Sequence, residues 1–586
     1  MKPSLRYFLS ILVIIFGILG SQTAEASHFY GADLNYTWVS GNTYRVTLTV
    51  FGDCGGSAFY TLNGATAELR IYNGATLYKY DTLFQQGSGF EVTPVCPVQA
   101  SNTNCSNPSS TIPGVKRYIY AKDIVLNTTS ANWKFQFYGN MSGAAAGRSN
   151  SITNINTGTT TVLEALLNNS LAPNSSVNYT TIPTPFFCIN KPANYNPGAV
   201  DPNLDSLSFS LVTGLTQGGT VSYVFPYTAT APLATAVATY SFSSTNGQIS
   251  FTPNLAQRAL IVSQVNEYRN GVLVGTSMRE MTFVVLSSCS NNPPTGIVSN
   301  ASSGVFTLGT TGVEACASQG IISFKINPTD ADGDHINIQV AGLPAGSSFV
   351  ITGNNSYSPS ATFTWNITGV PPGVYNFFVT FTDDGCPLSS KQSVAYTIKV
   401  FGSPNPGFSL IRPVTCLNKA KFSLTPFLGA GPYTIAITGG AVNDTFKNVL
   451  GTVIDSVATG TYKISTLSSI GCSYDTTITF LPPNTLVISA VATSPTCFNG
   501  SDGTLTATAF NGLSPYTYAI DAGSFSSNNI FTGLTTGSHI IHARDTGGCT
   551  KDSAFIILPP ADIYATVGLS KPPCNHFANG SISLTA

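Results

Sequence analysis

The sequence predicts an all-β protein, a series of tandem β-sandwich domains following a cleaved signal peptide. Three observations carry this reading. Charged residues are 9% of the 586, far below the roughly one quarter usual in soluble domains, whereas glycine and aromatic residues are abundant. Short segments alternate apolar with polar or small residues, the pattern of half-buried strands. A set of landmarks also recurs with a period of about 80 residues, the size of one sandwich domain and too long for a propeller blade.

The N-terminus has the parts of an export signal. Lys2 and Arg6 give a positive start, Phe8 to Gly20 is an apolar run, and Ala24 and Ala26 are the small residues that signal peptidase requires. Ser27 is therefore expected to be the first mature residue. The run is shorter than the roughly 20 residues that span a bilayer, and Thr, Ser, Asn or Gly interrupts every later apolar stretch. The mature chain is thus expected to have no transmembrane segment and to be secreted or held at the outer cell surface. A formal net charge of -1 leaves no basic footprint, which argues against nucleic acid as a partner and against electrostatic attachment to lipid.

Repetition is clearest in the last third. One unit runs from Cys416 through Gly431-Pro432-Tyr433-Thr434 and Gly471-Cys472 to Leu481-Pro482-Pro483. The next runs from Cys497 through Ser514-Pro515-Tyr516-Thr517 and Gly548-Cys549 to Leu558-Pro559-Pro560, and Cys574 opens a third. Within the units, 433–437, 461–466, 476–480, 504–509 and 538–544 alternate as strands. The proline before each tyrosine fits a bend at a strand start, where no ladder hydrogen bond is lost. A structural role for these tyrosines is expected over a sugar-stacking one.

Twelve cysteines in an exported chain suggest disulfides. The similar spacing within the two complete units predicts Cys416–Cys472 and Cys497–Cys549. Pairing among Cys54, Cys96, Cys105, Cys188, Cys289, Cys316 and Cys386 stays open. No close cysteine pair of the CxxC kind exists, so zinc is not expected.

The segment from Pro495-Thr496-Cys497-Phe498-Asn499-Gly500 to Ser501-Asp502-Gly503, with Pro515-Tyr516-Thr517-Tyr518 and Gly548-Cys549, resembles the SprB-type repeat of large surface adhesins from gliding Bacteroidetes. The first unit departs from it, with Lys419-Ala420-Lys421 at the opening turn. The resemblance implies a secreted, adhesin-like protein linked to gliding motility, often exported by the type IX system with a C-terminal sorting domain. No such domain is present in this sequence, and the third unit is cut off. Ser27-His28-Phe29-Tyr30-Gly31-Ala32-Asp33-Leu34 is similar to the mature N-terminus of surface proteins of that group.

A second resemblance lies in the middle. Asp330-Ala331-Asp332-Gly333-Asp334, Gly342-Leu343-Pro344, Gly373-Val374-Tyr375 and Asp383-Asp384-Gly385 are similar to cadherin-like and Ig-like domains of bacterial surface proteins. Asp201 to Asp205 and Gly247 to Pro253 suggest the same plan earlier. The expected organisation is a signal peptide at 1–26, an N-terminal β domain at 27–185, and cadherin-like or Ig-like sandwiches at 186–290 and 295–402. SprB-like repeats follow at 413–492 and 493–569, with the start of a third at 570–586. Val162 to Asn169 reads as the one plausible helix.

Signs of catalysis are lacking. The sequence has no H-E-x-x-H, G-x-S-x-G or G-x-x-x-x-G-K-[ST] motif, and His539 and His542 fall on opposite faces of an expected strand. Asp330, Asp332 and Asp334, with Asp383 and Asp384 brought near, could offer oxygens to calcium, the one cofactor suggested. The same aspartates could equally cap a surface turn. The functional expectation is a non-catalytic adhesin or display stalk that meets extracellular polysaccharide, solid surfaces or other cell-surface proteins. The alternative is a spacer in a secreted hydrolase whose catalytic domain lies beyond residue 586.

Overall fold

The computed structural model describes residues 26–56, 59–142, 144–156, 160–183, 185–571 and 578–586. The apolar leader and Ala24 lie outside the described residues, as does Cys574; Ala26 and Ser27 open the first strand. Among the described residues the architecture is all-β, and no helix is long and apolar enough to cross a membrane. Contacts divide the chain into residues 1–401 and 402–586.

A 13-stranded sheet gathers strands from Ala26–Ser40 through to Val272–Leu286. The boundary expected at 185/186 therefore does not separate two domains. Val272–Leu286 pairs antiparallel with Arg258–Arg269, with Gly31 to Leu34, and with Ala165 to Leu167, and parallel with Phe186–Cys188. Strands from both sides of the supposed boundary thus share one ladder, and one core joins Phe29, Leu48, Trp133 and Phe135 to Leu260 and Met278. Local pattern reveals strands but not partners so distant in sequence. Asn270-Gly271 makes the tight turn into the long strand; both have positive φ, 52° and 79°, as a two-residue type I′ hairpin requires.

The helix expected at Val162 to Asn169 is instead the strand Leu163–Leu167. Leu163, Ala165 and Leu167 are buried in alternation, and the strand is paired on both edges, by Trp133–Met141 and by Val272–Leu286. Ladder pairing and burial override a local helical preference in so short a segment.

Two pairs of opposite charge are buried in this sheet. Arg279 Nη2 lies 2.7 Å from Asp33 Oδ2, and Arg148 Nη2 lies 2.6 Å from Glu280 Oε2, with all four side chains at most 4% exposed. Glu267, fully buried, accepts hydrogen bonds from Asn174 Nδ2 and the Val177 N–H. Burial above all, with the charge of Asp201 adding, pushes its carboxyl up to about 8.

Residues 295–401 form a sandwich of a four-stranded and a five-stranded sheet. Its core is crossed by a column of stacked rings, Phe324, Phe363, Phe377 and Tyr396, with successive centroids 4.9, 5.0 and 5.4 Å apart. A polar seam joins it to the preceding region. Cys96 is bonded to Cys386, Gln248 Oε1 accepts the Ala395 N–H, Gln392 Oε1 accepts the Asn194 N–H, and Lys391 Nζ donates to the Ile182 carbonyl.

In residues 402–586 two successive beads each place two small sheets around one core. The first contains Phe422, Ile435, Ile437 and Tyr462; the second contains Leu505, Tyr518, Ile541 and Ala543. All five segments expected as strands from 433 to 544 lie within observed strands. The expected starts at 413 and 493, however, omit a strand from each bead. Pro406–Arg412 pairs with Ala420–Pro426, and Val487–Thr493 with Gly503–Phe510, so the opening cysteine sits in the turn between two paired strands. By the same plan the third unit begins with Thr566–Ser570, which pairs with Ser581–Thr585.

The recurring tyrosines pin turns, as expected. Tyr433 donates its hydroxyl to the Leu428 carbonyl at 2.7 Å and Tyr516 to that of Gly512 at 2.9 Å. Tyr375 and Tyr462 reach back in the same way, to Pro371 and Ala458. Such corners tie a strand start to the loop that leads into it.

Two outcomes test this picture. Asp33→Asn, which leaves Arg279 buried without its charge partner, is expected to lower stability by about 3–5 kcal/mol in denaturant titration, whereas Asp123→Asn, at the exposed pair with Arg45, should leave the denaturation midpoint nearly unchanged. Glu267 is expected to bind a proton on folding, because its folded value near 8 exceeds the ordinary 4.5. Its contribution is complete below 4.5 and lost as pH rises through 8, with a slope of up to about 1.4 kcal/mol per pH unit. Glu267→Gln should flatten that part of the stability profile.

Candidate cation site and contact surfaces

The acid-rich loop joins strand Ile321–Thr329 to strand Ile336–Ala341. Asp330 Oδ1 accepts the N–H of Asp332 at 2.8 Å and of Asp334 at 3.3 Å, and Gly333, at φ 77°, turns the chain between them. This brings one carboxylate oxygen each from Asp330, Asp332 and Asp334 within 4.8 Å of one another. Both Asp332 oxygens accept from Asn292, through its N–H at 2.6 Å and its Nδ2 at 2.7 Å, so the linker before the sandwich is fastened to the loop.

Asp383 and Asp384 end and follow strand Gly373–Asp383, and they differ in role. Asp383 is 3% exposed. Its Oδ1 accepts from Asn291 Nδ2, Gly385 N–H and Ser390 N–H, while its Oδ2 is buried without a hydrogen-bond partner. Burial first, and also the charge of Asp330, raise its carboxyl to about 7. Asp330 Oδ2 and Asn291 Oδ1 are likewise buried and unpartnered. Asp384 instead accepts the His335 N–H at 2.8 Å and meets His335 Nδ1 at 2.9 Å, which keeps it out of the three-carboxylate group.

An internal comparison shows what the cluster lacks. At Asp201 to Asp205 the first carboxylate again caps the residues two and four positions on, through Asn203 N–H at 2.7 Å and Asp205 N–H at 3.0 Å. There Arg269 supplies the positive charge, holding both oxygens of Asp205 at 2.8 and 2.6 Å. The Asp330 loop offers the same scaffold with a third carboxylate, and Asp330 Oδ2 is buried without a hydrogen-bond partner, as Asp201 Oδ2 is. Such a set of hard oxygen donors suits a calcium ion, which takes six to eight of them. Sequence alone placed the aspartates; Asn291 and Asn292 were missed, because a linker asparagine carries no pattern of its own.

The histidines of the second bead do not form a metal or catalytic pair. His539 uses Nδ1 on Asp521 and Nε2 on the Thr535 carbonyl, and His542 uses Nδ1 on Asp552 and Nε2 on the Asp521 carbonyl. With both ring nitrogens engaged, each acts as a strap between strands.

The disulfides overturn the two expected pairings. Cys416 is bonded to Cys549, across the two beads, and Cys497 is a free, exposed thiol. Cys472 is disulfide-bonded too, though not to Cys416. The opening cysteine of the first bead lies at a turn against the second bead, where the Leu417 N–H donates to the Gly547 carbonyl at 3.2 Å. Repeat spacing fixes which cysteines are equivalent, but it leaves open whether equivalent cysteines pair within or between repeats. Of the cysteines left open, Cys54 joins Cys105, Cys96 joins Cys386, and Cys188 joins Cys289; Cys316 is also disulfide-bonded.

One exposed face stands out for contact. On strand Thr76–Gln85, Tyr80 and Phe84 stand four residues apart and are 59% and 49% exposed, while Tyr78, at the bulge opposite Ile71 and Tyr72, packs edge-on against the buried Trp133 at 5.2 Å. Arg70 lies over the Tyr138 ring at 3.4 Å and near that of Tyr80 at 5.5 Å, with Glu68 holding its Nε at 2.7 Å. Beside these lies an open cleft of about 450 Å³ lined by Thr66, Glu68, Tyr80, Asp81, Asn140 and Ser142 among others. Flat rings next to carboxylates and amides are the groups that stack on and hydrogen-bond to sugar rings.

The fold defines a chain of tandem β-sandwich modules. A family model described as the SprB repeat matches residues 489–525, within the second bead. No curated protein matches the chain. Among solved structures, extracellular domains 3–5 of Drosophila OTK align with 12% identity and a TM-score of 0.20, covering 53% of this chain and 98% of that one. Mouse nectin-like molecule 4 aligns at 12% and 0.23, covering 44% and 100%. Domains EC3–6 of protocadherin gammaB7 align at 13% and 0.19, covering 64% and 98%.

Calcium binding is checked by melting. Millimolar calcium is expected to raise the melting temperature of the mature chain, and Asp330→Asn or Asp332→Asn to abolish that rise. An unchanged melting curve would leave the aspartates a turn-capping role alone.

Proposed function

We propose that this chain is a non-catalytic protein of the outer cell surface, an adhesin or display stalk that works by multivalent contact. The observation that carries this reading is the match of the second bead to the SprB repeat, next to a first bead with the same arrangement of two sheets, a turn-pinning tyrosine and a cysteine-bearing opening turn. Repeated modules present similar faces several times, so weak individual contacts are strengthened by effective concentration rather than by one deep pocket. Low charge keeps such contacts insensitive to salt.

Extracellular polysaccharide is the partner best suited to the Tyr80 and Phe84 face, with other cell-surface proteins as a second class. Calcium at Asp330, Asp332 and Asp334 would stiffen the joint at the Asn291-Asn292 linker. Attachment of cells carrying the gene is expected to fall when the beads are deleted, and binding of the purified chain to immobilised polysaccharide to fall several-fold in the double variant Tyr80→Ala, Phe84→Ala. Unchanged attachment, together with loss of a secreted hydrolase activity in the deletion, would favour the spacer reading instead.

A further inference from the structure

We infer that Cys497 is the open half of a covalent link between consecutive beads, and that its partner is the late cysteine of a following bead of the same plan. The two opening turns share one sequence pattern, Thr415-Cys416-Leu417-Asn418 in the first bead and Thr496-Cys497-Phe498-Asn499 in the second. In the first, the whole turn is docked forward. Cys416 is bonded to Cys549 with Cα atoms 5.0 Å apart, and the Leu417 N–H reaches the Gly547 carbonyl. Leu417 also lies directly over Gly548, where an added Cβ would collide with its Cγ, and a Cβ added at Gly547 would sit 3.1 Å from the Thr415 Cβ. The receiving surface is thus a Gly-Gly-Cys turn that needs Gly548 bare and leaves little room at Gly547.

The second bead repeats the donor side of this arrangement with nothing docked on it among the described residues. Cys497 is free and exposed, and Phe498, in the place of Leu417, is 79% exposed. Its turn is already fixed, because Asp502 accepts the Thr496 N–H at 3.0 Å and the Thr496 hydroxyl at 2.6 Å. Cys497 cannot close onto Cys549 of its own bead, which the preceding bead occupies. The same direction of bonding is found earlier, where Cys386, late in its sandwich, is bonded back to Cys96 in the preceding region. A next bead has begun in this chain, since Thr566–Ser570 and Ser581–Thr585 pair as the opening strands of the two complete beads do.

Forming the link converts two thiols to one disulfide and releases two protons and two electrons. The electrons pass to the disulfide of an exported thiol oxidant, which is left as a dithiol. The inference concerns how beads are joined and does not depend on what they adhere to.

The test uses the full chain with residues 566–586 replaced by a second copy of 487–557 that carries Cys497→Ser. Peptide mapping without reduction should find a Cys497–Cys549 bridge in addition to Cys416–Cys549, and alkylation of Cys497, complete in the original chain, should fall to near zero. Gly548→Val in the added copy should restore alkylation. Continued alkylation of Cys497 in a folded extended chain, or a disulfide-linked dimer of the original chain through Cys497, would overturn the inference. Cys416→Ser in the original chain gives a check that needs no added bead. Cys497 and the released Cys549 should both remain alkylatable, and a bridge between them would show that Cys497 is built to close on its own bead.

Discussion

Arg279 and Glu280 are neighbours on one strand and point to opposite faces of the sheet. Arg279 meets Asp33, 246 positions away, and Glu280 meets Arg148, 132 positions away. A slip of one residue in this strand would exchange the two faces and leave four buried charges without partners, on top of misplacing every apolar side chain. Register in the 13-stranded sheet is therefore set by charge as well as by hydrophobic alternation. The sandwich at 295–401 depends on that sheet in turn, because the groups that fasten it, Cys96 and Gln248 among them, lie on or beside the same framework.

The beads after residue 402 use a cheaper device. Their cores are small, and much of their definition comes from corners in which one side chain reaches a carbonyl a turn behind it. In the first bead Tyr462 follows Gly460-Thr461 and reaches Ala458; in the second His539 follows Gly537-Ser538 and reaches Thr535. The imidazole does the work of the phenol because both place a donor at the same distance from the strand start. Asp521, hydrogen-bonded to Nδ1, orients the ring so that Nε2 can serve. His539 thereby ties its strand to the loop behind it.

How much could be read beforehand follows from the range of each interaction. Strands from 433 to 544, the turn tyrosines and the Asp330 loop were all legible, since alternation, a proline bend and an Asp-x-Asp-x-Asp run are local patterns. The strand ahead of each opening cysteine was missed because the repeat was anchored on the cysteine itself. The merger across residue 185 and the Cys416–Cys549 bond were illegible for a different reason. Both depend on which of several equivalent strands or thiols meet in space, and a repeat makes those alternatives look alike. Leu163–Leu167 shows the remaining kind of miss, where leucines three and four apart fit a helix and leucines and alanine two apart fit a strand, and the neighbours decide.

The bridges also determine how the chain responds to being pulled. Tension applied at its two ends cannot lengthen a stretch whose ends are covalently joined, so the 133 residues spanned by Cys416 and Cys549 are removed from the extensible length, roughly 450 Å of contour at 3.3–3.6 Å per residue. Cys96 and Cys386 withhold 290 residues in the same manner, roughly 1,000 Å. Both beads could lose their packing under force while the tether between anchor and load stayed short and intact. Under reducing conditions the same chain would pay out like an unlatched spring.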